Sequence, residues 1–154
     1  MDTDHRKLDA MSRTHSHQGV IAVAAVRAYA SLEEIFAAAE QRGEQPLIVV
    51  CDELSDPHNL GAILRTAECA GAHGVIIPKR RSVGLNATVG KTSAGAIEYM
   101  PVAKVTNLVK TMEQLKKEGL WFACADMGEN DHYYTNLKCP IGMVIGKERK
   151  DVSR

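Results

Sequence analysis

Leu47-Ile-Val-Val-Cys51-Asp-Glu-Leu-Ser-Asp56-Pro-His-Asn59-Leu-Gly-Ala-Ile-Leu64-Arg65-Thr-Ala-Glu68-Cys-Ala-Gly71 is the stretch on which the fold of this chain turns. Its first five residues are apolar without alternation, the pattern of a strand buried on both faces, which belongs to parallel sheets covered by helices. Asp56, Pro57 and His58 then turn the chain, Asn59 is expected to cap the helix that follows, and Gly71 to end it. Leu60, Ile63, Leu64 and Ala67 recur at helical spacing and make one core-facing stripe, whereas Arg65 points elsewhere. A solvated ion pair with Glu68, three residues on, would account for Arg65 in structural terms alone.

The alternation continues in both directions. Apolar runs at residues 74–77, 99–102, 120–125 and 141–145 read as further strands. Between them 59–70, 86–96 and 106–118 read as helices, and 31–42 is a helix opened by the capping box of Ser31 and Glu34 and stopped by Gly43. The fold class is therefore α/β, a mostly parallel sheet flanked by helices. Ligands in such sheets lie beyond the carboxyl ends of the strands, here 52–58, 78–85, 126–130 and 146 onward. The Arg65 helix starts at that edge. Residues 1–18 are polar and lack periodicity, so they read as an arm or linker.

The chain has 154 residues, 45% hydrophobic and 25% charged, enough for one domain with its own core. Lys plus Arg and Asp plus Glu number 19 each, so no global field draws the chain to a polyanion and any such site must be local. Residues 56–91 supply one, where Arg65, Lys79, Arg80, Arg81 and Lys91 stand against Asp56 and Glu68 and leave +3. Cys51, Cys69, Cys124 and Cys139 lack C-x-x-C spacing, which argues against zinc and disulfides and for a reducing, cytoplasmic location. His15 and His17 have no third ligand nearby and read as solvent-exposed linker residues, so no metal is expected. The apolar run at 19–26 imitates a secretion leader, but Asp2, Asp4, Asp9 and Arg27 spoil it. No stretch approaches the ~18 apolar residues of a membrane span.

Gly146 follows the run at 141–145, where the lack of a Cβ lets a ligand approach the backbone. Glu148 stands two residues later, so a carboxylate, a backbone donor and Arg65 could converge there. Neither G-x-G-x-x-G nor a Walker loop is present. Ser93-Ala-Gly-Ala96 is compact and suits close helix packing as well as it suits a ligand.

In chain order, Asn59-x-Gly-x-x-x-Arg65-Thr-Ala, Gly71-x-x-Gly74-Val-Ile-Ile, Ser93-Ala-Gly-Ala96 with Pro101, and Val144-Ile-Gly-Lys-Glu148 resemble the SpoU (TrmH-like) family of RNA ribose 2′-O-methyltransferases. The resemblance runs from about residue 47 to 154. His17-Gln-Gly-Val-Ile-Ala22 is similar to the linker before the catalytic domain in the branch that methylates a guanosine of large-subunit ribosomal RNA. The resemblance implies S-adenosylmethionine-dependent methylation of a ribose 2′-hydroxyl by a homodimer with a deep trefoil knot (SPOUT-like). It implies Asn59, Arg65 and Glu148 as catalytic residues, and Ala125, Asp126, Met127, Ile145 and Gly146 as the cofactor edge. Arg65, Lys79, Arg80, Arg81 and Lys91 would meet RNA. Residues 1–30 would be an arm from an upstream RNA-binding domain, and 31–154 a truncated catalytic domain.

The chain departs from the family twice. Arg149 and Asp151 stand at two positions that are usually glycine, where a side chain costs on the order of 1 kcal/mol, so the cofactor loop is expected to be altered. The family's third motif, with Ser-Leu-Asn, does not occur before Arg154. The expectation is an incomplete knot, exposed apolar surface, weak or no cofactor binding and no methylation by these residues alone, although the parent sequence would be active. Two rival readings are a nucleotide-binding α/β module and a noncatalytic RNA-binding or dimerisation fragment.

Overall fold

A computed structural model describes residues 4–12, 17, 19–21, 27–125 and 138–146. The elements are α1 (His5–Met11), α2 (Leu32–Arg42), β1 (Leu47–Cys51), α3 (Pro57–Cys69), β2 (Gly74–Pro78), α4 (Ala87–Thr92), a 3₁₀ turn (Ala96–Glu98), β3 (Val102–Val105), α5 (Leu108–Lys117), β4 (Trp121–Cys124) and β5 (Ile141–Ile145). The five strands form one sheet, ordered β3-β2-β1-β5-β4, and every pairing is parallel.

Alternate residues of β1 serve two cores. Val49 and Cys51 face a cluster with Leu60 and Leu64 of α3, Val89 of α4 and Ile97 of the 3₁₀ turn. Ile48 and Val50 face the opposite cluster, with Ile35 of α2 and Leu115 of α5. This two-sided burial explains why the strand carries no polar residue between Leu47 and Cys51. The stripe on α3 falls as its spacing requires: Leu60 and Leu64 are fully buried and Ala67 nearly so, each leucine contributing about 1.5–3 kcal/mol of burial.

The helix boundaries obey local rules. Ser31 and Glu34 form the expected reciprocal capping box. Gly71 ends α3 in a left-handed conformation (φ +74°), its N–H donating to Glu68 O and that of Ala72 to Ala67 O, which is the Schellman pattern. The cap at the start of α3 is Asp56 and not Asn59: the Asp56 carboxylate accepts from His58 N–H at 2.8 Å, and Pro57 opens the first turn. Proline suits that position because its missing N–H would have been unsatisfied there. Asn59 is consequently inside the helix, with an exposed side chain.

Three other segments differ from the sequence pattern. The expected strand at 99–102 is displaced to Val102–Val105, because the 3₁₀ turn absorbs the preceding residues and leaves Tyr99 exposed. The expected helix at 86–96 ends at Thr92, where Ala94 (φ +50°) and Gly95 (φ +90°) take left-handed conformations that a helix does not accommodate. Within the non-periodic residues 1–18, His5–Met11 forms a short helix. His17, expected to be solvated, packs on it: its Nε2 lies 3.2 Å from Asp9 Oδ1 and its ring 5.2 Å from that of His5. His15 lies outside the described residues.

At the opposite, amino edge of the sheet, the buried His73 ties α2 to the strands. Leu47 N–H donates to its Nδ1 at 3.0 Å, and its Nε2 is 3.0 Å from a Glu44 carboxylate oxygen. A ring nitrogen that accepts an amide proton carries none itself, so Nε2 holds the proton and donates it to Glu44.

Candidate functional site

β4, β5 and β1 end level with one another. Cys51 pairs with Ile145 and Cys124 with Val144, and beyond them Asp52 N–H donates to Ile145 O and Ala125 N–H to Val144 O, each at 2.9 Å. The strand order turns from 3-2-1 to 5-4 between β1 and β5, and a crevice beyond the carboxyl ends is the usual consequence of such a turn. Ala125, Ile145 and Gly146 therefore share one ledge, with Ala125 and Gly146 exposed and, among the described residues other than its chain neighbours, no atom within 4 Å of where a Gly146 Cβ would stand. Asp126, Met127 and Glu148, expected to complete it, lie outside the described residues.

α3 descends from this edge. Asn59 sits in its first turn and Arg65 further along, both exposed. Six residues of helix separate them by about 9 Å and a third of a turn, so they flank the helix rather than stack. Among the described residues Arg65 makes no hydrogen bond or ion pair, and the solvated pairing with Glu68 is not formed.

The glycine between Asn59 and Arg65 has a packing explanation. A Cβ on Gly61 would overlap the Thr92 hydroxyl and approach Thr92 Cβ to 2.7 Å and the Ser93 nitrogen to 3.0 Å. α4 thus rests directly on the α3 backbone, and Lys91 is brought beside the start of α3, where the Thr92 hydroxyl also lies 3.4 Å from Pro57 O. Ser93 is fully buried and its hydroxyl donates to Gly90 O at 3.0 Å, which makes the Ser93-Ala-Gly-Ala96 block a helix-packing corner.

Lys79, Arg80 and Arg81 are exposed on the loop after β2, at the same carboxyl edge. That loop is anchored: Lys79 N–H donates to Val105 O and Val83 N–H to Leu54 O. Arg81 Nη1 lies 3.2 Å from Glu53 Oε1, so the local positive charge is partly offset by a carboxylate just before residues 56–91. Glu53 (φ +51°) and Arg81 (φ +57°) are both left-handed, a conformation costly for side chains of this kind and concentrated at functional sites. No spacing rule links positions 53 and 81, so the sequence held no signal for the pair. The other perturbed group nearby is Cys51, whose thiol burial pushes up to about 12, which leaves it a core residue and no nucleophile.

Residues 46–154 match the model of the SpoU rRNA Methylase family. The chain belongs to that family. It is 49% identical over 150 residues to the "Putative TrmH family tRNA/rRNA methyltransferase YacO" of Bacillus subtilis, covering 97% of this chain and 60% of the relative. It is 43% identical over 153 residues to the "23S rRNA (guanosine-2'-O-)-methyltransferase RlmB" of Neisseria meningitidis, covering 98% and 60%. The chain thus spans about 60% of the length of these curated relatives. In structure it is similar to the SpoU methyltransferase AviRb of Streptomyces viridochromogenes, solved in complex with AdoMet, with a TM-score of 0.58 and 23% identity over 66% of this chain and 41% of that one. That likeness shows the fold; Asn59 and Arg65, which the resemblance leads one to expect as catalytic residues, lie on α3, and Gly146 lies on the ledge beside its start.

Proposed function

We propose that the SpoU protein carrying this chain transfers a methyl group from S-adenosylmethionine to a ribose 2′-hydroxyl of RNA, with a guanosine of large-subunit ribosomal RNA as the target. The observation that supports the reading most is Arg65, an exposed guanidinium without a partner among the described residues, on a helix that starts at the ledge of Ala125, Ile145 and Gly146. The neighbouring RlmB relative supports the guanosine, and the AdoMet complex of AviRb supports the cofactor.

The ledge fits such a cofactor. Small residues at two adjacent strand ends leave space for a flat base and a short chain, and Gly146 opens the backbone to it. Ala125, Ile145 and Gly146 would hold the cofactor, with Asp126 and Met127 of the same segment. When bound it supplies a methyl group already electrophilic at its sulfonium.

The chain's residues then have to orient a sugar and ease the loss of a proton from a weak acid. A guanidinium stays protonated at any ordinary pH, so Arg65 is a poor base. It clamps the phosphate beside the reactive ribose, and its charge stabilises the developing alkoxide. Asn59, a third of a turn away, meets the substrate rather than Arg65, and Glu148 completes the catalytic set. Lys79, Arg80, Arg81 and Lys91 hold the strand through its phosphates. The functional unit in this proposal is a homodimer with a trefoil knot.

The test is transfer of labelled methyl from S-adenosylmethionine to ribosomal RNA by the whole-length protein. Arg65→Ala should reduce kcat/KM by at least 100-fold, the scale lost with one charge-stabilising donor, and Arg65→Lys should restore only part of it. Undiminished transfer by Arg65→Ala would remove Arg65 from the mechanism.

A further inference from the structure

The segment 27–30 lies along the free edge of β3 and is fastened there at three points. The Arg27 guanidinium donates to the carbonyls of Ile97 and Glu98 at the end of the 3₁₀ turn. Ala30 N–H donates to Val102 O at 2.8 Å and Ala30 forms a parallel bridge with Ala103. The third point reaches away from the sheet edge. The Tyr29 hydroxyl accepts from Leu85 N–H at 2.9 Å, and Lys104 Nζ lies 3.5 Å from that oxygen and 4.9 Å from the ring centroid.

Leu85 belongs to the loop that displays Lys79, Arg80 and Arg81. Its other anchors are Val105 O, Leu54 O, the exposed pair of Arg81 with Glu53, and the Asn86 side chain that caps α4. Tyr29 is the side chain among the described residues that brings the preceding segment onto this loop. The fit is tight, since a Cβ on Gly84 would stand 2.7 Å from the Tyr29 oxygen and 3.3 Å from Lys104 Nζ. Gly84 leaves room for the phenol.

We propose that Tyr29 is a positioning residue for RNA: by accepting the Leu85 amide it sets the loop 79–86 in the geometry in which Arg80 and its neighbours meet phosphates, so the segment ahead of the catalytic fold tunes the affinity of its basic loop. The inference rests on the proposal that this loop contacts RNA. It assigns Tyr29 no charge to contribute, because the phenol holds the loop and does not touch the strand. Two signatures separate it from a cation that binds directly. Loss of the phenol weakens binding without changing how many counterions are released, whereas loss of a cation changes that number.

The experiment compares the wild-type chain with Tyr29→Phe and Arg80→Ala, using amide hydrogen exchange and fluorescence-detected binding to a ribosomal RNA hairpin over a range of salt. Tyr29→Phe keeps the ring over which Lys104 sits and removes the acceptor. It should speed exchange at Leu85 and weaken RNA binding roughly five-fold, the scale of one hydrogen bond, with an unchanged salt slope and an unaltered fold by circular dichroism. Arg80→Ala should flatten the slope by about 0.7–0.9 and leave Leu85 exchange as it was. If wild type binds RNA but Tyr29→Phe alters neither Leu85 exchange nor affinity, or speeds exchange without weakening binding, the role of Tyr29 is refuted while the RNA reading stands. Salt-dependent binding absent from wild type, or indifferent to Arg80→Ala, refutes the RNA reading and this inference with it, even if Leu85 exchange responds.

Discussion

Replacing Gly61 by alanine probes the contact that sets the backbone of α3 against the end of α4. In a helix open to solvent the change would gain about 0.8–1 kcal/mol of helix propensity. Here the new methyl would overlap the Thr92 hydroxyl, stand 2.7 Å from Thr92 Cβ and 3.0 Å from the Ser93 nitrogen. A rotation of Thr92 removes the first overlap, at the expense of the hydroxyl's 2.9 Å hydrogen bond to Thr88 O. It leaves Cβ and the backbone nitrogen in place, so α4 must retreat by about 0.7 Å to reach the 3.4 Å of ordinary contact. Overpacking of this kind costs typically about 1–3 kcal/mol, and with two of three obstacles rigid the upper value applies. Net of propensity the loss is about 2 kcal/mol, a fall in Tm of about 4–8 °C for a domain of this size. Thermal unfolding followed by circular dichroism reads it. Combining Gly61→Ala with Thr92→Ala should give a loss smaller than the sum of the two, because the shared overlap is partly relieved. A Tm equal to or above wild type in Gly61→Ala would refute the close-packing explanation.

Four further outcomes follow from the same geometry. His73→Leu strands the Leu47 N–H, while the exposed Glu44 carboxylate returns to water, so it should cost about 1–3 kcal/mol in urea unfolding, and nitrogen-15 spectra of wild type should show the proton on Nε2. With the Cys51 pKa near 12, about one thiol in ten thousand is ionised at pH 8, so alkylation should label exposed Cys69 and Cys124 readily and Cys51 only on unfolding. The folded-state value of Cys51 is raised, so its contribution to stability is complete below about pH 9 and lost as pH rises towards 12; alkaline unfolding monitored in Cys51→Ala should lack that component. Arg81→Gly relieves a left-handed residue and breaks only an exposed pair, so stability should stay level or rise by up to about 1 kcal/mol while RNA affinity falls.

Much of the fold was legible because its signals are local. The unbroken apolar run at Leu47–Cys51, the stripe on α3, the capping box of Ser31 and the terminal Gly71 each depend on a few neighbouring residues. Asn59 is not the cap because proline at the first helical position marks Asp56 as the residue before the helix, a sign that an Asp-Pro-His turn imitates. The displaced β3 has another cause: the 3₁₀ turn at Ala96–Glu98, entered through left-handed Ala94 and Gly95, takes up residues whose apolar pattern reads as strand. Of the candidate site, the cluster of cations is visible in the charge balance of residues 56–91, and the place of Gly146 at a strand's carboxyl end is visible in the apolar run before it. The Glu53–Arg81 pair and the Tyr29–Leu85 bond join residues 28 and 56 positions apart, and only the folded chain brings them together.

In the proposed function a methyl donor binds at the carboxyl ends of β1, β4 and β5, beside the start of α3. Amide chemical shifts recorded during titration with S-adenosylmethionine into millimolar range test this directly, since weak binding still moves resonances at the contact. Changes are expected at Asp52, Ala125, Ile145 and Gly146, reaching the first turn of α3. Changes gathered instead at the amino edge, around His73 and Trp121, with Ala125 and Gly146 unmoved, would contradict it.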